Sequence, residues 1–115
     1  MPGARTPEEL DTLLEDAFVL RDPALLDALF DDGAVLREAG GSQARGGEAI
    51  GRALSELGAR GCIYVARPRC VLQARGTALV VADAGIHVAR RGGDGAWRAA
   101  ISLLDLDTPI GPEDS

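Results

Sequence analysis

The chain contains no lysine and no asparagine, and its 115 residues include only one Trp, one Tyr, two Phe and one His. Every cationic side chain is an arginine, and the twelve of them are outweighed by eighteen acids, for a formal charge of −6. A basic stripe able to neutralise phosphates is therefore missing, which excludes a nucleic-acid partner. No positively charged leader precedes an apolar stretch, and no apolar run approaches the roughly 18 residues that a membrane span needs. A soluble cytoplasmic protein with no membrane partner is the expectation. Two cysteines and a single histidine offer no metal-ligand spacing, so no metal is expected. Cys62 and Cys70 fall in one strand-like run, where about 26 Å would separate them at roughly 3.3 Å per residue. They are read as two buried thiols in a reducing compartment.

What is present is organised as one domain over residues 1–107, followed by a tail, 108–115, rich in Pro, Gly and acid and expected to be flexible. Thr6-Pro7-Glu8-Glu9 is a capping box with proline at the first helical position, where its missing N–H costs nothing. Leu10, Leu13, Leu14, Ala17 and Phe18 follow at helical spacing, so a first helix runs to about Arg21. Asp22-Pro23 opens a short second helix that ends at Gly33. A strand is predicted over 34–37, a loop at Gly40-Gly41-Ser42, and a third helix over 48–58.

Beyond Gly61 the pattern turns to strands over 62–74, 77–91 and 96–106, with turns at Arg75-Gly76 and Gly92-Gly93-Asp94-Gly95. Pro68 implies an edge or a bulge in the first of these. Helices followed by an antiparallel meander predict an α+β fold with three N-terminal helices on one face of a curved sheet. The turns set a register that places Tyr64 opposite His87, Gly85 opposite Ser102 and His87 opposite Ala100. One face then carries Tyr64, Ala66, Asp83, His87, Ala100, Ser102 and Leu104 among small residues. The other carries Val80, Ile86, Val88, Trp97, Ile101 and Leu103, with Arg90 beside Trp97 for a cation–π contact. Small residues leave room for a ligand that Tyr, His and Ser would orient, although a solvent or dimer surface fits the pattern equally well.

The segment LFDDGAV, then Glu38, then GSQARGG leading into a helix resembles the ketosteroid isomerase branch of the nuclear transport factor two-like superfamily. The hairpin IHVARRGGDGAWR resembles the closing hairpin of SnoaL-like, polyketide cyclase-like members. The resemblance implies a cone whose pocket lies between the helices and the concave sheet face, and a homodimer formed through the sheet. Glu38 falls where isomerases carry the proton-shuttling Asp, and His87 where they carry an oxyanion-hole acid. Leu14 stands in place of their oxyanion-hole Tyr, so Tyr64 would have to supply that donor. Leu14, Phe18, Asp83, Ala100, Ser102 and Leu104 are expected to line the pocket.

The chain is about a dozen residues shorter than the family pattern between the third helix and His87. Asp83-Ala84-Gly85 is a candidate for the tight turn left behind, which would split the second strand and make Asp83 a turn residue. The activity implied is an isomerase or cyclase acting next to a carbonyl, with Glu38 as base, His87 and Tyr64 as donors, and no cofactor. The ligand would be a small apolar or carbonyl-containing molecule. The alternative is a non-catalytic dimeric domain that binds a small ligand or only itself. Epoxide hydrolysis on this fold would need an Asp-Arg-Asp relay that the sequence does not place.

Overall fold

A computed structural model describes residues 3–106; the acidic tail lies outside them. Helix α1, Pro7–Leu20, starts where expected: the Thr6 hydroxyl accepts from the Glu9 N–H at 3.1 Å. Asp22 caps α2, Pro23–Ala28, by accepting from the Ala24 N–H at 3.0 Å. Such caps satisfy N–H groups that a helix start leaves without partners. Helix α3 covers Gly47–Ala59. It lies against α2 so closely that a Cβ on Gly51 would sit 2.7 Å from the Pro23 carbonyl oxygen.

Six strands form one sheet in the order β2-β1-β6-β5-β4-β3. They are β1 Phe30–Glu38, β2 Gln43–Arg45, β3 Pro68–Ala74, β4 Thr77–Ala82, β5 Gly85–Arg91 and β6 Trp97–Leu104. The architecture is the expected α+β arrangement of helices on a sheet. The sheet is not purely antiparallel, however, because β1 runs parallel to β6. Chain reversals by hairpin can only make antiparallel neighbours, whereas β1 reaches β6 after a long crossover.

The region read as one long second strand splits at Asp83-Ala84 into β4 and β5, which pair Ala82 with Gly85. Gly85 has φ +153°, and a Cβ there would meet the Leu103 carbonyl oxygen at 2.1 Å, so the strand start admits only glycine. The strand expected over 62–74 is confined to β3, and residues 62–67 form an irregular connection rather than a ladder, whereas β1 extends beyond the expected 34–37 at both ends. Pro68 does mark a register shift, between Pro68 and Cys70.

The β5–β6 register also differs from the expected one. The pairing begins at Arg91↔Trp97, and a bulge between Val88 and Ala89 leaves Ala100 unpaired, so His87 faces Ser102 rather than Ala100. The extra residues total two, and side chains alternate with period two, so Ser102 stays on the inner face. Val80 and Trp97, expected outside, are buried in the core instead. Trp97 pairs through an isolated bridge with Ala4, and Arg91, not Arg90, lies over its ring at 6.0 Å. Cys62 is half-buried and Cys70 exposed; both are free thiols, so the expectation of two buried thiols fails at Cys70.

Candidate functional site

The residues expected to share one pocket fall in three places. The first is the sealed interior between α1 and the concave face. Here the Tyr64 hydroxyl donates to Asp11 Oδ1 and lies 3.0 Å from His87 Nε2, while His87 Nδ1 lies 2.7 Å from Ser102 Oγ. Asp11, His87, Ser102 and Tyr64 are 0, 1, 2 and 3% exposed, so the whole chain of groups is shut away from water. Phe18 packs on Tyr64 with ring centroids 5.9 Å apart, and Leu14 is fully buried beside them. Leu14 and Phe18 therefore act as core residues, not as pocket walls.

The electrostatics follow from burial. Desolvation holds His87 down at about 4, so its imidazole is neutral near pH 7. The 3.8 Å approach of His87 Nε2 to Asp11 Oδ1 is then not an ion pair. Burial raises the Asp11 carboxyl, and Glu15 and Asp83 add to the rise; the Tyr64 hydrogen bond and the Arg67 backbone N–H oppose it. Burial, with Asp11 beside it, pushes the Tyr64 phenol well above its ordinary value. Asp11 Oδ2 has no hydrogen-bond partner among the described residues. A buried acid left partly unpaired lowers stability, and such groups concentrate at functional sites.

Asp11 is the member that sequence reasoning missed. The signal was there: Asp11 stands three residues before Leu14 and seven before Phe18, on the face that α1 buries. A carboxylate interrupting an apolar helical stripe needs a partner across the core.

The second place is a cleft of about 200 Å³ beside the C-terminal ends of β1, α3 and β6. Glu38 and Ala39 of the β1 end, Leu57 of α3, Cys62, Leu104, Asp105 and Leu106 line it. Glu38 pairs across the sheet with Leu104, one inward position beyond Ser102, so it does face the helix side. Tyr64, His87 and Ser102 do not line this cleft, and buried Leu104 forms part of its wall. The third place is the surface. Asp83 sits in the β4–β5 turn, ion-paired with Arg69 and with Arg67 at 3.6 Å, and these arginines lower its carboxyl. Ala100 is the half-buried bulge residue. Among the described residues no cluster of three or more His, Cys, Asp or Glu is placed to hold a metal. No described helix is long and apolar enough to cross a membrane.

Three helices packed on one six-stranded mixed sheet make the cystatin-like fold, which this chain shares with solved nuclear transport factor two-like and ketosteroid isomerase-like proteins. No known protein family matches the chain by sequence, and no curated protein does. Solved structures do match. A ketosteroid isomerase-like protein from Erwinia carotovora atroseptica superposes with a TM-score of 0.71 at 18% identity, over 89% of this chain and 94% of that one. A putative calcium/calmodulin-dependent protein kinase type II association domain from Thiobacillus denitrificans gives 0.72 at 16% identity, over 94% and 100%. A nuclear transport factor two-like protein from Novosphingobium aromaticivorans gives 0.67 at 19%, over 94% and 80%. At these identities the superpositions show a shared fold.

Proposed function

We propose that this single domain is a small-molecule proton-transfer enzyme of the isomerase or cyclase type, with Glu38 as its base. The observation that carries this reading is the Glu38 carboxylate on a cleft walled by Leu57, Cys62, Leu104 and Leu106, with Asp105 as the second acid there. Glu38 takes the proton from a carbon next to a carbonyl. The C–H electron pair becomes the enolate double bond and the carbonyl pair moves to oxygen. The carboxyl group then returns its proton to the same carbon or to one further along the conjugated system. Since a dry cavity of about 150 Å³ takes a benzene-sized guest, a cleft of about 200 Å³ suits a one-ring or short-chain carbonyl compound rather than a steroid. Among the described residues on its wall the Cys62 thiol is the only side-chain donor apart from the carboxyls, so the oxyanion gains little from hydrogen bonding and turnover is slow.

His87 and Tyr64 enter this mechanism as support beneath the cleft, not as donors to substrate. The working form is a cytoplasmic homodimer through the outer sheet face, where Leu72, Ile86, Ile101 and Leu103 are 62, 40, 55 and 47% exposed. An apolar patch of that kind is a liability in a monomer. The test is α-hydrogen exchange of cyclohexanone in D2O, followed by NMR. Wild-type protein accelerates the exchange and Glu38→Gln abolishes the acceleration; an unchanged rate in Glu38→Gln removes Glu38 from the mechanism.

One observation favours a second reading. The interior of the cone is filled by hydrogen-bonded side chains, none of which borders the cleft. On that reading the chain is a non-catalytic dimeric domain, and no exchange above the buffer rate is expected.

A further inference from the structure

The interior groups form an unbranched series in which every joint is a hydrogen bond between two groups that can each donate or accept. Tyr64 has one hydroxyl proton, and a neutral imidazole has one N–H. If ionised Asp11 accepts from Tyr64, the Tyr64 oxygen must accept from His87 Nε2–H, and His87 Nδ1 must accept from the Ser102 hydroxyl. If Asp11 is protonated and donates to Tyr64, the hydroxyl turns to His87 Nε2, and Nδ1–H donates to Ser102 Oγ. The heavy-atom positions serve both arrangements, with Tyr64 O to Nε2 at 3.0 Å and Nδ1 to Oγ at 2.7 Å.

We propose that Asp11, Tyr64, His87 and Ser102 are a two-state proton chain, in which protonation of Asp11 reverses every hydrogen bond and switches His87 from the Nε2–H to the Nδ1–H tautomer. The step balances with one proton taken from water. Local opening brings that water to the otherwise buried Ser102; its Oγ accepts the proton while passing its own to Nδ1, Nε2–H passes to the Tyr64 oxygen, and the Tyr64 proton passes to Asp11 Oδ1. Each bond that breaks is replaced at the same heavy atom, and Asp11 alone changes charge.

The competing arrangement with the same proton count keeps Asp11 ionised and makes His87 an imidazolium. It places two charges in a site without water, where their desolvation exceeds what one pair at 3.8 Å returns. The groups facing Asp11 act in the same sense. Glu15 on its own helix and Asp83 from the β4–β5 turn both favour the carboxylic acid, and the side chains of Arg67 and Arg69 are turned to Asp83. Only the Tyr64 hydrogen bond and the Arg67 backbone N–H favour the carboxylate.

His87 is the sole histidine, so one imidazole gives the whole readout. In isotope-labelled protein, long-range proton–nitrogen spectra assign its tautomer while the Asp11 carboxyl carbon reports ionisation. The titration stays above the value of about 4 at which His87 itself would charge. The expected result is Nε2–H at high pH and Nδ1–H at low pH, with one midpoint shared by both nuclei. Asp11→Asn, whose amide offers Tyr64 either a donor or an acceptor but takes up no proton, holds a single tautomer at every pH. Tyr64→Phe lets Asp11 titrate without moving His87. A single tautomer across the wild-type titration, an imidazolium signal, or a switch that survives Tyr64→Phe overturns the proposal. Should Tyr64→Phe not fold, the Asp11→Asn result decides alone. The outcome is independent of whether Glu38 is a base.

Discussion

The Tyr64 hydroxyl lies 3.0 Å from His87 Nε2, although Tyr64 belongs to no strand that pairs with His87. It reaches there from the irregular connection after α3, and its other partner, Asp11, is 53 positions away on α1. One hydroxyl thus ties the first helix, the connection and the sheet together.

Removing that hydroxyl leaves buried groups without partners. Tyr64→Phe is expected to lower unfolding free energy by about 1–3 kcal/mol, seen as a lower urea midpoint at unchanged slope. A loss below about 0.5 kcal/mol would show that the contact contributes no more than an ordinary surface substitution.

Acid should weaken the fold through His87. Its folded value of about 4 lies below the ordinary 6.5, so between those values the unfolded chain binds more protons and stability falls as pH falls. The contribution is full above about 6.5 and gone below about 4, and at roughly 1.4 kcal/mol per pH unit it is on the order of 3 kcal/mol. Asp11 runs the opposite way: its raised carboxyl stabilises at low pH and that stabilisation is lost as pH rises past it. Asp11→Asn should therefore gain on wild type at pH 8 relative to pH 4, measured by urea unfolding at both.

Gly85→Ala forces a Cβ to 2.1 Å from the Leu103 carbonyl oxygen at a φ of +153°. A loss of at least about 2 kcal/mol is expected, with Gly76→Ala, whose Cβ would meet nothing, as the mild control. Thermal unfolding of both variants checks the contrast.

Ile101→Glu places a charge in the middle of the outer sheet face while touching no inner residue. Light scattering should show a dimer for the wild type and a monomer of unchanged circular dichroism for the variant. A wild-type monomer would instead leave that face for solvent.

The sequence by itself determined where the helices start and one of the turns, but not the end of the second helix, which was expected at Gly33 and lies at Ala28, with β1 already under way at Phe30. The caps at Thr6 and Asp22, the stop at the end of α3 and the turn at Arg75-Gly76 are written in a few adjacent residues, because caps and turns satisfy their own backbone groups locally. The inner placement of His87 and Ser102 was legible too, since strand alternation survives a register error of two. Only the tertiary structure decided the parallel β1–β6 pairing, the bulge at Ala100, and the partnership of Asp11 with Tyr64. It also separated Glu38 from His87, putting one at the cleft and the other in the buried interior, paired with Ser102. These depend on contacts between residues far apart in the chain, and on which polar groups burial leaves without water; no local pattern encodes either.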